Sequence, residues 1–211
     1  MKSLSIIPLL LGVASLTQIN TSAAVTFTAD ITHAQETTTG ILVTSTGAPR
    51  PLSYGTATFL LNDAMTALSF TATIYNIDVT GSQTVDTNDN LSAAHIHAGP
   101  NVTFGVNGPV VFGFFGAPLN DNNPNDVSVT PFVSGVGGVF VSKWDLSEGQ
   151  NTTLTAQLPN ILAGRSYINF HTVQFPAGEI RGQILTVPDS GSAMVLLVLG
   201  LLSLVGLARK K

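Results

Sequence analysis

The sequence contains no cysteine and few charged residues, which make up only 9% of its 211 positions. The absence of cysteine excludes a disulfide framework and a thiol nucleophile. A charged fraction far below the usual quarter argues against a coiled coil and against an ordinary cytosolic enzyme. Between residues 25 and 188, four basic residues stand against eleven acidic ones, a formal charge of −7. Because this charge repels phosphate, we expect no nucleic-acid partner.

Motifs that mark enzyme active sites are also missing. The chain has no Gly-x-Ser-x-Gly elbow, no phosphate-binding Gly-rich loop and no His-Glu-x-x-His sequence. Its carboxylates are scattered over segments that read as loops, so a pair suited to glycoside hydrolysis would have to be assembled by the fold. We predict that the protein is not an enzyme, with a metal-dependent redox activity as the alternative.

The first 24 residues read as a secretory signal peptide. Lys2 supplies the basic start, residues 4–16 form an apolar run, and Ser22-Ala23-Ala24 offers small side chains at the cleavage position. We therefore expect cleavage after Ala24 and export from the cytosol. A buried N-terminal helix is the alternative interpretation.

A second apolar run extends from residue 193 to residue 208, and a basic cluster of Arg209, Lys210 and Lys211 follows it. The positive-inside rule places this cluster in the cytoplasm. The run spans about 24 Å as a helix, which is short of the roughly 30 Å hydrocarbon core of a bilayer. We predict a thin transmembrane helix, either processed or kept as a permanent anchor.

The motif Val187-Pro188-Asp189-Ser190-Gly191 precedes this apolar run. Motif, apolar run and basic cluster together resemble the PEP-CTERM family of bacterial sorting signals, in the variant that opens with this motif. The resemblance covers residues 187–211. It implies cleavage near the motif by an exosortase-type membrane protease, in a Gram-negative bacterium that makes extracellular polysaccharide.

Between the two ends, residues 25–186 read as one all-β domain. Apolar and polar residues alternate in short runs rich in Thr, Val, Ile and Phe, which is typical of strands. We predict a β-sandwich or flattened Greek-key barrel of roughly eight strands. The runs cover residues 25–29, 54–60, 68–77, 93–98, 110–115, 139–142, 166–173 and 179–185.

Three other segments interrupt the alternating pattern. Residues 154–163 have room for a helical turn or two, with Pro159 limiting the length. Residues 78–90 and 118–125 are polar and rich in Asp and Asn, which predicts surface loops. Their side-chain oxygens suit Ca²⁺, but neither loop has the EF-hand spacing, so plain solvated loops are the main interpretation.

Two segments carry a resemblance to a known family. The first is Ala93-Ala94-His95-Ile96-His97-Ala98-Gly99-Pro100, followed by Gly108-Pro109; the second runs from Tyr167 to Thr172 and on through Gly178-Glu179-Ile180-Arg181-Gly182-Gln183. Together they resemble the CHRD domain, named from chordin, over residues 25–185. The resemblance implies an extracellular β-rich module without an established enzymatic activity.

Three histidines are the strongest candidates for a site. On a strand, residues two apart share a face, so His95 and His97 project together, and His171 lies on a second strand. If the strands are neighbours, three imidazoles converge and can bind copper or zinc. The alternative, which we favour narrowly, is a hydrogen-bonded cluster with Asn169 and Thr172 as partners. His33 is expected to be exposed.

Two further side chains are candidates for ligand contact. Arg181 shares a face with Glu179, which predicts an ion pair, although its planar guanidinium also suits the capping of loop carbonyls or the binding of a carboxylated sugar. Trp144, the only tryptophan, reads first as a core anchor and second as a sugar-stacking platform.

Taken as one prediction, the chain is an exported module at the cell surface or in the extracellular matrix, held briefly in the inner membrane by its C-terminal helix. Its expected partners are the exosortase-type protease and an extracellular polysaccharide or surface protein. A periplasmic or extracellular protein that binds copper or zinc is the alternative.

Overall fold

The strands form where apolar and polar residues alternate. In the computed structural model, which describes residues 24–187, the strand Tyr54–Leu61 buries every second side chain, because successive side chains point to opposite faces of a sheet. The predicted all-β fold is confirmed. The described residues contain ten strands where roughly eight were predicted: β1 (Val25–Thr32), β2 (Tyr54–Leu61), β3 (Ala67–Tyr75), β4 (Leu91–Ala98), β5 (Val110–Phe115), β6 (Ser128–Pro131), β7 (Gly137–Asp145), β8 (Ser166–Thr172), β9 (Ile180–Gln183) and β10 (Leu185–Thr186).

All ten strands belong to one antiparallel sheet in the order β5-β4-β8-β9-β1-β2-β3-β7-β6, with β10 beside β1. The sheet curls like half a barrel, so that its two halves face each other. Phe114 of β5 lies 4.9 Å from Phe70 of β3, and Phe170 of β8 lies 5.3 Å from Phe140 of β7, measured between ring centroids. These strands are not neighbours in the sheet, so the contacts run across an enclosed core, as they do between the layers of a sandwich.

The structure differs from the predicted strands in two places. Strand β6 was missed because it is a short edge strand whose residues are mostly exposed. The last predicted strand is divided into β9 and β10. Ile184 separates the two, and its side chain is buried in the core. The predicted helical segment forms α1 (Leu154–Leu162), which begins where Thr153 Oγ1 accepts a hydrogen bond from Ala156 N.

The two ends of the domain lie side by side. Thr186 pairs with Phe27, and Val187 N donates to Thr26 O at 2.9 Å. The predicted signal peptide and sorting tail lie outside the described residues, apart from Ala24 and Val187 at their inner ends. Among the helices of residues 24–187, none has the length and apolar character needed to cross a membrane.

A buried ion pair joins the start of β9 to the segment before β2. Glu179 is 0% exposed, and Arg50 Nη1 donates to its Oε1 at 2.9 Å. Hydroxyls of Ser53 and Thr172 donate to the same carboxylate. The predicted pair of Glu179 with Arg181 is therefore wrong. Spacing places both residues on one face, but the two side chains find different partners.

We predict that Glu179→Gln lowers the free energy of unfolding by about 3 to 5 kcal/mol, because Arg50 would stay buried without its carboxylate. Urea unfolding of the full chain measures the change. Lys143→Met is the control: Lys143 pairs with Asp126 and Asp145 at 2.9 and 3.1 Å, but its side chain is 34% exposed. That variant should lose less than about 1 kcal/mol. Equal losses in the two variants would contradict the prediction.

Candidate functional site

Strand β4 separates its histidines from its apolar residues. Ala94 and Ile96 belong to the hydrophobic core, and His95 and His97 occupy the alternate positions on the other face, as predicted. Both histidines are nevertheless buried, with 4% and 8% of their surface exposed. The outer face of this part of the sheet is therefore covered.

Strand β8 brings the third histidine to the same face. It pairs antiparallel with β4, so that His95 lies opposite Asn169. His171, two residues further along β8, lies opposite Ala93. Side chains at such diagonal positions of an antiparallel pair are within reach of each other. One ring nitrogen from each of His95, His97 and His171 lies within 4.8 Å of those of the other two. The predicted convergence of the three imidazoles is confirmed. We call these residues the triad.

Three loops cover the triad, and each supplies a backbone carbonyl to one ring. His95 Nε2 lies 3.1 Å from Ala117 O, His97 Nδ1 lies 2.9 Å from Gly108 O, and His171 Nδ1 lies 3.0 Å from Pro176 O. A carbonyl oxygen only accepts, so the nitrogen that faces it carries the hydrogen. A neutral ring has only one such hydrogen. The opposite nitrogens, His95 Nδ1, His97 Nε2 and His171 Nε2, are left with lone pairs, and those of His95 and His171 face each other.

The hydrogens available do not satisfy the contacts of His95 and His171. Their inward nitrogens, His95 Nδ1 and His171 Nε2, lie 3.1 Å apart. This contact and the two carbonyl contacts need three hydrogens, and two neutral rings provide two. Every tautomer assignment therefore leaves one close contact without a hydrogen. A third proton on the pair, or a cation between the two inward nitrogens, would remove this deficit.

His97 adds a further unsatisfied atom. Its Nε2 is buried and has no hydrogen-bond partner among the described residues. Unpaired buried polar atoms are uncommon in folded proteins, because such an atom loses its bond to water and gains nothing in return. His97 Nε2 therefore carries a third buried lone pair in the triad.

Burial also opposes an extra proton on the triad. Loss of hydration lowers the pKa of His95 from 6.5 to about 4, and the positive charge that His171 would carry adds to this effect. Burial likewise lowers the pKa of His97 to about 4, and lowers that of His171. At neutral pH the rings are uncharged, which is the state that binds metal ions.

A stack of side chains holds the ring of His97 in position. The Tyr167 ring lies parallel to it, with centroids 4.6 Å apart. The Tyr167 hydroxyl accepts from Gly108 N at 3.3 Å, and the carbonyl of the same glycine faces His97. Arg181 lies over the Tyr167 ring, with its Cζ 4.7 Å from the centroid.

Comparison with known families agrees with this arrangement of strands and motifs. The family model for the CHRD domain matches residues 27–184. The chain belongs to the CHRD family. The match extends from β1 to the end of β9 and confirms the resemblance carried by the two sequence motifs. No curated protein and no solved structure matches the chain.

Hydrogen bonds in the CHRD domain correct two predictions about the histidines. Asn169 and Thr172 are not partners of the triad: Asn169 Oδ1 has no hydrogen-bond partner in the described part of the chain, and Thr172 donates to Glu179. His33 was expected to be exposed but is buried, with Nδ1 2.6 Å from Glu179 O and Nε2 3.0 Å from Gly40 O. The polar residues around His33 in the sequence predicted exposure, because they gave no sign of the loops that enclose this side chain.

The two candidate ligand contacts are both internal in the CHRD domain. Trp144 is 0% exposed and stacks on Phe112, with ring centroids 5.1 Å apart, so it is the core anchor of the two alternatives and not a surface platform. Arg181 is 3% exposed and donates to Gln35 O and Asn107 Oδ1. Its Nη2 has no partner among the described residues.

Buried carboxylates hold the backbone of the two acidic loops of the CHRD domain, and one of them, Glu148, comes from outside these loops. Asp78 accepts from the backbone nitrogens of Thr80, Gly81, Gln83 and Thr84, and Glu148 accepts from those of Asn122, Asn123 and Asp145. Within residues 24–187 the triad is the one group of three or more potential metal ligands that converge. Asp78, Asp89 and Asp121 in these loops are buried, so the prediction of plainly solvated loops does not hold for them.

We predict that the metal-free protein loses stability between about pH 6.5 and pH 4. The unfolded chain binds protons near the ordinary histidine pKa of 6.5, whereas folded His95 and His97 resist them until about pH 4 and the pKa of folded His171 is also lowered, so acid favours unfolding in this window. His97→Gln should flatten the decline. Thermal unfolding with a chelator, followed from pH 7.5 to 4, measures both slopes. Identical slopes would contradict the prediction.

Proposed function

We propose that this CHRD-family chain is a non-enzymatic binding module that holds one transition-metal ion between His95, His97 and His171. The observation that carries the proposal is the missing hydrogen between His95 Nδ1 and His171 Nε2. A metal ion bonded to both nitrogens would relieve the contact between their lone pairs. His97 Nε2 would supply a third bond once the ligand atoms, which spread over as much as 4.8 Å, contract around the ion. Imidazole nitrogen suits both copper and zinc.

The surroundings of the triad support this proposal. Two nitrogens bound to one ion at about 2.0 Å lie roughly 3.3 Å apart, close to the 3.1 Å between His95 Nδ1 and His171 Nε2. Each ligand ring is oriented by a carbonyl on its far nitrogen, as metal-binding histidines usually are. A cluster that only ties strands together would need hydrogens in all three contacts of these two rings.

The sequence of the two terminal segments supports export as the setting of this module. We propose that the signal peptide and the sorting tail deliver the domain across the inner membrane, to the cell surface or the polysaccharide matrix. Thr26 and Val187 are hydrogen-bonded neighbours. Both signals would therefore be attached beside β1, in the middle of the sheet, and β9 lies between β1 and the triad strands β8 and β4.

We predict that the full chain, stripped with a chelator and kept in mild detergent, binds one Cu⁺ or Zn²⁺ ion per molecule. At a hundredfold excess over the dissociation constant the ion should add about 2.7 kcal/mol to the free energy of unfolding. Metal analysis after gel filtration gives the stoichiometry, and thermal unfolding gives the stabilisation.

His171→Gln should weaken this binding at least about 100-fold, since two nitrogens then remain. The matched control is His33→Gln, which removes a buried histidine that also faces backbone carbonyls but lies outside the triad. It should bind metal as the unmodified chain does. Failure of the unmodified chain to bind either ion, or full binding by His171→Gln, would overturn the proposal.

For export, we predict an N-terminus at Val25 in protein recovered outside the cytosol of a Gram-negative host that has an exosortase-type protease. Replacing Arg209, Lys210 and Lys211 with neutral residues should impair retention and processing of the tail. Mass spectrometry of the recovered protein tests both. An intact Met1 would contradict the first expectation, and unchanged processing of the triple variant would contradict the second.

A further inference from the structure

We propose that the triad selects the monovalent ion Cu⁺ over Zn²⁺. This inference rests on the proposed metal site and adds the charge of the ion that the site accepts. It follows from two features around the rings: the sign of the charges that act on them, and the lack of access for a fourth ligand.

The triad offers an ion no negative charge. Its three ligands are neutral imidazoles, and among residues 24–187 no carboxylate joins the group. The charges that act on His95 and His97 are those of the other rings and, at His97, that of the cation Arg181. The carboxyl group of Glu36 interacts instead with Arg181 and Tyr167.

An ion in such a site keeps its full charge in a medium of low dielectric constant. The cost of moving an ion out of water rises with the square of its charge, so it is about four times larger for a divalent ion than for a monovalent ion of the same size. Arg181 adds repulsion in proportion to the charge of the ion. Both effects disfavour Zn²⁺ relative to Cu⁺.

The number of ligands that Zn²⁺ requires also favours Cu⁺ at the triad. Zn²⁺ is almost always bound by four ligands, and with three histidines the fourth is a water molecule or substrate. At the triad, His97 Nε2 is buried from water, and the loops that carry Gly108, Ala117 and Pro176 close over the rings. Cu⁺ needs only the three nitrogen ligands in this proposal, so it fits the enclosed site without a water molecule.

The test compares the two ions on the same full chain in mild detergent without oxygen. Cu⁺, kept reduced with ascorbate, is titrated against bicinchoninate, and Zn²⁺ is titrated against a chromophoric zinc chelator. We expect the dissociation constant for Cu⁺ to be at least about 100-fold lower than that for Zn²⁺. Tighter binding of Zn²⁺ overturns this inference and leaves the proposed metal site standing, whereas binding of neither ion removes both.

A charge variant tests the cause of the selection. Asn169 is buried opposite His95, with Arg181 beside it on β9, so Asn169→Asp puts a carboxylate next to the triad with little change in size. We expect the preference for Cu⁺ to fall at least about tenfold. Asn62→Asp, in the turn between β2 and β3, is the matched control and should leave the preference unchanged.

Arg181→Gln provides a second route to the same result if Asn169→Asp does not fold. It removes the cation whose field reaches His97, and the preference for Cu⁺ should again decrease. Thermal unfolding of each metal-free variant establishes that it is folded. An unchanged preference in a folded Asn169→Asp or Arg181→Gln protein would overturn the electrostatic explanation.

Discussion

The outer face of β4, β8 and β9 is polar and yet buried, and the rest of the site depends on this constraint. One face of an antiparallel sheet commonly meets water, which satisfies its polar groups. Here loops cover that face, so every nitrogen on it needs a partner within the protein. The loops supply these partners: the backbone carbonyls of Gly108, Ala117 and Pro176 each accept a hydrogen bond from one ring. Because carbonyls accept only, they place the hydrogens of the triad outward and its lone pairs inward.

One of these loops, the turn between β8 and β9, is fixed by the buried ion pair of Glu179. Its carboxylate accepts from Arg50 and Thr172, so the turn between β8 and β9 is held at both ends. Gly178 lies in this turn with a φ of +126°, and a Cβ there would come within 2.6 Å of Glu36 Oε1. A glycine is needed both for the backbone conformation and for the close approach. The turn that carries Pro176 is therefore a rigid part of the site.

Alternation predicted most of the strands, and two motifs predicted the family. The His-x-His spacing was sufficient to place His95 and His97 on one face, because the period of a strand is fixed. Spacing was not sufficient for Glu179 and Arg181, which share a face without touching: the guanidinium of Arg50, far away in the chain, pairs with Glu179 instead. The edge strand β6 was missed because most of its side chains are exposed and show no alternation of burial.

By itself, the sequence determined the all-β class and the histidines that would share one face of the sheet. It also predicted the two terminal signals. It did so because these features depend on local composition and on the two-residue period. Only the tertiary structure decided that β4 and β8 are neighbours, that loops close over the triad, and that His33 and Trp144 are buried. These facts depend on contacts between distant segments, and they alone set the hydrogen deficit between His95 and His171 that makes the triad a candidate metal site.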